Sequence, residues 1–84
     1  MKNIDEEGIR VYPTFTNRLI NVEWEEEEEE MEIRVLDGQG KIIFKNKILG
    51  SNQLSLDFSN YLKGGYIVQA FSGRKMFVQR VVKI

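Results

Sequence analysis

The chain has 84 residues, 42% of them apolar, with 12 Lys and Arg against 13 Asp and Glu, and it contains neither cysteine nor histidine. A chain of that length makes one domain with one modest core, burying roughly 60–65% of its unfolded surface. The missing residue types exclude disulfide staples, thiolate or imidazole metal ligation, cysteine nucleophiles and any triad built on histidine, and a net charge of −1 excludes nucleic-acid binding through bulk charge.

Met1 to Glu7 lacks the apolar stretch of a secretory signal. Apolar runs such as Ile42-Ile43-Phe44 are far too short to span a bilayer as a helix. The chain therefore reads as a cytoplasmic protein or as a segment of a longer exported one, with Met1 an added start. Residues 1–8 read as a linker or an added N-terminus, and 9–84 as the domain.

In chain order, the pattern has the period of two that a half-buried strand needs. Ile9 and Val11 alternate with Arg10 and Tyr12, and Pro13 should end that strand because it has no N–H to give to a ladder. Ile20, Val22 and Trp24 alternate with Asn21 and Glu23, and Trp24 is expected to be largely buried. The run Glu25–Glu30 follows. Like charges four apart oppose a helix, so it reads as a solvated hairpin loop. As a calcium site it lacks the Asp, Asn and Gly spacing that converges oxygens on the ion. Met31, Ile33 and Val35 alternate with Glu32 and Arg34. Asp37-Gly38-Gln39-Gly40 is a tight turn that joins this strand to the next, over 41–48, as a hairpin. Leu54, Leu56 and Phe58 alternate with Ser55 and Asp57. Segments 65–71 and 75–83 are rich in β-branched and aromatic residues, with Ser72-Gly73-Arg74 turning one into the other. In the last segment Met76, Val78, Arg80, Val82 and Ile84 are expected to face mostly inward, a bulge or edge position relieving Arg80. About seven antiparallel strands at intervals of 8–12 residues indicate an all-β sandwich.

The charge is unevenly spread. Residues 1–32 hold 11 acids and 3 bases, residues 33–84 hold 2 and 9. A structural module that self-associates through its edges would draw on such a split, although six of the acids are the single Glu run.

Little in the sequence suggests catalysis. Asp37 and Asp57 read as turn residues that bond local backbone, not as a carboxylate pair across a cleft. There is no phosphate loop, dinucleotide fingerprint or nucleophile elbow. No enzyme activity, cofactor or metal is expected. Lys41, Lys45 and Lys47 could track a single strand of nucleic acid, but lysine on an exposed strand more often guards against aggregation.

Four motifs in order resemble a known family, the type A C-terminal sorting domain of the type IX secretion system of Bacteroidetes-type bacteria. Val11-Tyr12-Pro13-Thr14-Phe15-Thr16-Asn17-Arg18-Leu19 resembles its opening "VYPNPTNG-L" segment. Ile33 to Lys41 is similar to its "I-V-D-x-x-G-K" hairpin, Leu56 to Val68 to its "LDLS-L-KG-Y-V" segment, and Arg80-Val81-Val82-Lys83-Ile84 to its "K-V-V-K" tail. The chain departs from the pattern at Thr14, Phe15 and Arg18, where the family has Asn, Pro and Gly, and at Arg80, where it has Lys. The resemblance implies an Ig-like β-sandwich that acts as an address label on a larger secreted cargo. It implies docking on components of the outer-membrane translocon and removal by a sortase-like protease upstream of about Ile9. It further implies a location outside the cell or at the outer membrane; the short apolar runs and the charge balance themselves give no membrane insertion and no nucleic-acid partner. The sorting-motif candidates are Pro13, Asp37, Gly40, Lys41, Gly64, Tyr66, Arg80 and Lys83. Tyr66 reads as a core ring with its hydroxyl at the rim, Arg80 and Lys83 as edge guards or receptor contacts, and strand addition along the last strand as a mode of recognition. The alternative is an Ig-like adhesion or carbohydrate-binding module using Tyr12, Trp24 and Tyr61 as sugar platforms.

Overall fold

The computed structural model describes residues 8–24, 30–73 and 75–84. Within them the chain forms eight strands: β1 (Ile9–Tyr12), β2 (Phe15–Thr16), β3 (Leu19–Trp24), β4 (Met31–Leu36), β5 (Ile42–Ile48), β6 (Gln53–Asp57), β7 (Gly64–Ser72) and β8 (Lys75–Lys83). They divide into a three-stranded sheet, β1-β3-β6, and a five-stranded sheet, β2-β8-β7-β4-β5. The inward residues of both form one core: Ile9, Val11, Ile20, Val22, Trp24 and Leu56 from one sheet, Met31, Ile33, Val35, Tyr66, Val68, Ala70, Phe77 and Val81 from the other, with Phe58 beside them. Such aliphatic and aromatic side chains fit a pleated surface, and alternation puts them all on one face.

The strand beyond the expected seven is β2. Its two residues are too few to show a period. Its neighbour Pro13 ends β1, as expected, and the chain then crosses from one sheet to the other. The Tyr12–Pro13 peptide is cis. Beyond it Phe15 and Thr16 pair with Val82 and Lys83 in parallel, the one parallel pair among the described strands. Val82 N–H donates to the Thr14 carbonyl at 2.8 Å and Ile84 N–H to the Thr16 carbonyl at 2.9 Å. The expected hairpin across the Glu run is replaced by a sheet change, since β3 and β4 lie in different sheets. Residues 25–29, and with them most of the calcium question, lie outside the described residues.

The facing of the last strand is the reverse of the one expected. Phe77, Val81 and Lys83 are buried, while Met76 and Val78 are 55% and 46% exposed. The register with β7 is the physical reason: Ala70, Val68, Tyr66 and Gly64 stand opposite Phe77, Gln79, Val81 and Lys83 in an unbroken antiparallel ladder. Because the buried side chains of β7 point inward, so must their partners. No bulge relieves Arg80. The register shift lies instead between Val35 and Leu36, in the β4–β5 pair.

Candidate recognition surface

The Asp37–Lys41 turn is held by its first residue. Asp37 Oδ1 accepts the amides of Gln39 at 2.9 Å and Lys41 at 3.0 Å, and the Gly40 amide donates to the Asp37 carbonyl at 3.0 Å. The Lys41 amide, then that of Gln39, holds the Asp37 carboxyl below its ordinary value. Gly40 sits at φ 85°, which a side chain would strain. Asp57 plays a similar part: the Ser59 hydroxyl, then its amide, lowers its pKa, with the amide at 2.9 Å. Both acids are the turn residues their neighbours predict.

This turn leans toward the start of β7. A Cβ added at Gly38 would stand 3.7 Å from the Gly65 carbonyl oxygen. At Gly65 itself a Cβ would meet the Arg80 guanidinium at 3.2 Å, so the bare glycine lets that group lie flat across the sheet. Leu36, Asp37, Gly38, Gly40, Gly65, Tyr66, Ile67 and Arg80 together line an open groove of about 520 Å³. Four of the eight sorting-motif candidates, Asp37, Gly40, Tyr66 and Arg80, thus converge. Lys41 flanks the groove through its bonds to Asp37.

Gly64, Lys83 and Pro13 fall elsewhere. Gly64 pairs with Lys83, and Lys83 is 8% exposed. Its Nζ donates to the Tyr61 carbonyl at 2.9 Å. The aliphatic stem is buried while the ammonium reaches a polar partner at the rim. Above it stand three rings: Phe58 and Tyr61 with centroids 4.9 Å apart, Phe58 and Tyr66 at 5.4 Å, Tyr61 and Tyr66 at 5.5 Å. Tyr66 is a core ring, and its hydroxyl donates to the Leu62 carbonyl at 2.5 Å. Burial raises the Tyr61 hydroxyl above its ordinary 10.0. Pro13 marks the point where the chain leaves for β2, whose two residues flank the tail.

Sequence reasoning missed Leu36, Gly38, Gly65 and Ile67 as groove residues. The doubled glycine was a signal, since a single one suffices to open a strand. It also missed the Tyr61 carbonyl, which no side-chain pattern reveals.

None of the three rings named as sugar platforms is openly exposed. Trp24 is 2% exposed. The Arg10 guanidinium covers the Tyr12 ring, 3.9 Å from its centroid, and the Tyr12 hydroxyl donates to Glu23 Oε2 at 2.6 Å. Tyr61 is half-buried in the ring cluster.

Two packed sheets with this order define an immunoglobulin-like β-sandwich. A crystal structure of a DUF3244 family protein from Bacteroides vulgatus, described as having an immunoglobulin-like β-sandwich fold, superposes with a TM-score of 0.80 at 17% identity, covering 92% of this chain and 85% of that one. Comparison with curated proteins gives no match. The family model of the secretion system C-terminal sorting domain matches residues 10–84, and the chain belongs to that family. It is a type IX sorting signal domain. Membership implies attachment to a cargo, interaction with the secretion machinery, and export to the cell surface or outer membrane. Sorting domains and Ig-like folds are typically non-catalytic.

Proposed function

We propose that this domain docks, folded, on the outer-membrane translocon, and that a sortase-like protease then cuts the cargo free upstream of Ile9. The domain itself does no chemistry. The family match over residues 10–84 carries this reading. It is supported by the convergence of Asp37, Gly40, Tyr66 and Arg80 on one groove. It is supported also by the place of the tail, which is a strand of the larger sheet and not a loose appendage. Pro13, Gly64 and Lys83 serve the reading indirectly, by fixing that tail.

The test is a reporter carrying an export signal at its N-terminus and residues 1–84 at its C-terminus, in a host with the type IX system. The reporter should reach the medium or surface, and its mass should correspond to loss of everything from about Ile9 onward. Release with the domain still attached would overturn the cleavage step. Periplasmic retention of the intact fusion would overturn the docking step.

A further inference from the structure

We propose that the outer face of the five-stranded sheet, centred on Arg80 and its groove, is the docking surface for an acidic segment of an export-machinery protein; this rests on the sorting function proposed above. The first ground is the apolar outer face of β8. This strand turns Met76, Val78 and Val82 outward beside Arg80, while Gln79 and Lys83 share its inner face with Phe77 and Val81. A strand serving only its own core would keep its solvent face polar.

The outward apolar groups are contiguous by register. Met76 lies opposite Phe71, Arg80 opposite Ile67, Ile67 opposite Leu36 and Leu36 opposite Ile42, with Phe15 beside Val82. Phe15 is 63% exposed, Met76 55%, Val78 46% and Ile42 45%. These make up four of the eight large apolar side chains exposed among the described residues, gathered on one face as interaction surfaces are.

The second ground is charge. The described ionic groups of this face are Glu32, Arg34, Lys45, Lys47 and Arg80. Glu32 is taken by Arg34 at 2.5 Å, and Lys47 by Glu30 at 3.3 Å. Among the described residues neither Arg80 nor Lys45 has an ion-pair partner. Asp37, which also lines the groove, stays charged while its Oδ1 accepts two amides, and the neighbouring Lys41 offsets that charge. What is left over is cationic within an apolar field. Its complement is a carboxylate flanked by apolar side chains, which the planar Arg80 fork can take with two parallel bonds.

The reporter fusion tests this. Arg80→Glu should lower the ratio of exported to periplasmic reporter about tenfold or more, the scale of one charge-assisted contact. Arg80→Gln should lower it less, and Arg80→Lys least. Val78→Ser should also lower it, whereas Ser55→Glu on the outer side of the other sheet should not. Thermal melts of each variant identify any that misfold, and Arg80→Gln with Val78→Ser carry the test if Arg80→Glu does. A benzophenone side chain in place of Val78 should cross-link to a protein segment that contains Asp or Glu. Normal export of the folded Arg80 and Val78 variants overturns the proposal while leaving the sorting function intact. Failure of the unaltered fusion to export defeats the sorting function itself. A cross-link to a basic segment, to lipid or to a second copy of this chain also overturns the proposal.

Discussion

At the residue scale, Lys83 shows how a charged side chain becomes structural. Read as a surface guard or a receptor contact, it lies buried with its ammonium on the Tyr61 carbonyl. A hydrogen bond from a charged group contributes about 1.5–3 kcal/mol. Lys83→Ala should therefore destabilise the domain by about 1–3 kcal/mol in denaturant unfolding, and Lys83→Met, which keeps the stem, should cost less. Asp37 makes the complementary case. Its depressed pKa means that its stabilisation is fully present above the ordinary Asp value of 3.8 and is lost as pH falls through the lowered folded value. Melting curves of the parent protein and Asp37→Asn should be separated near neutral pH, the variant lower, and should converge in acid below that ordinary value. Both acids were legible as turn residues because the donors they serve lie within four positions. Lys83 was not, because its acceptor lies 22 positions away.

At the element scale, the residue pattern of β8 points the wrong face inward, for a physical reason. Counting apolar residues favours Met76, Val78, Val82 and Ile84, and the period-two argument assumes that the more apolar side is the core side. Here the register with β7 decides instead. Val81→Ala should cost about 2 kcal/mol, from two lost methyl groups and the cavity they leave. Val78→Ala, at a surface position, should change stability by less than about 0.5 kcal/mol. Equal losses at the two sites in chemical unfolding would contradict the observed facing. The other strands were legible because each carries one apolar face and one polar face. β2 was not, since its existence depends on main-chain bonds to Val82 and Ile84 alone. The groove was legible only in part: its turn and its doubled glycine stand in the sequence, but the placing of Arg80 over Gly65 follows from a pairing of strands.

At the scale of the whole molecule, the fold closes through strand pairs distant in sequence, so refolding should take milliseconds to seconds. The single tryptophan, Trp24, reports it directly, being 2% exposed in the native state. Its emission should shift to the red on unfolding and return on refolding. A recognition label needs a stable sandwich and a distinctive surface, and a chain without cysteine or histidine can supply both. The tail contributes to each: Val81 fills the core, Val82 and Ile84 hold β2, and Arg80 faces outward. The measurement that tests this account most directly compares the location of a reporter fused to residues 1–84 with that of one fused to residues 1–79, in a host with the type IX system. The account predicts that the first reaches the medium or cell surface and the second stays in the periplasm. Retention of both, or equal export of both, would contradict it.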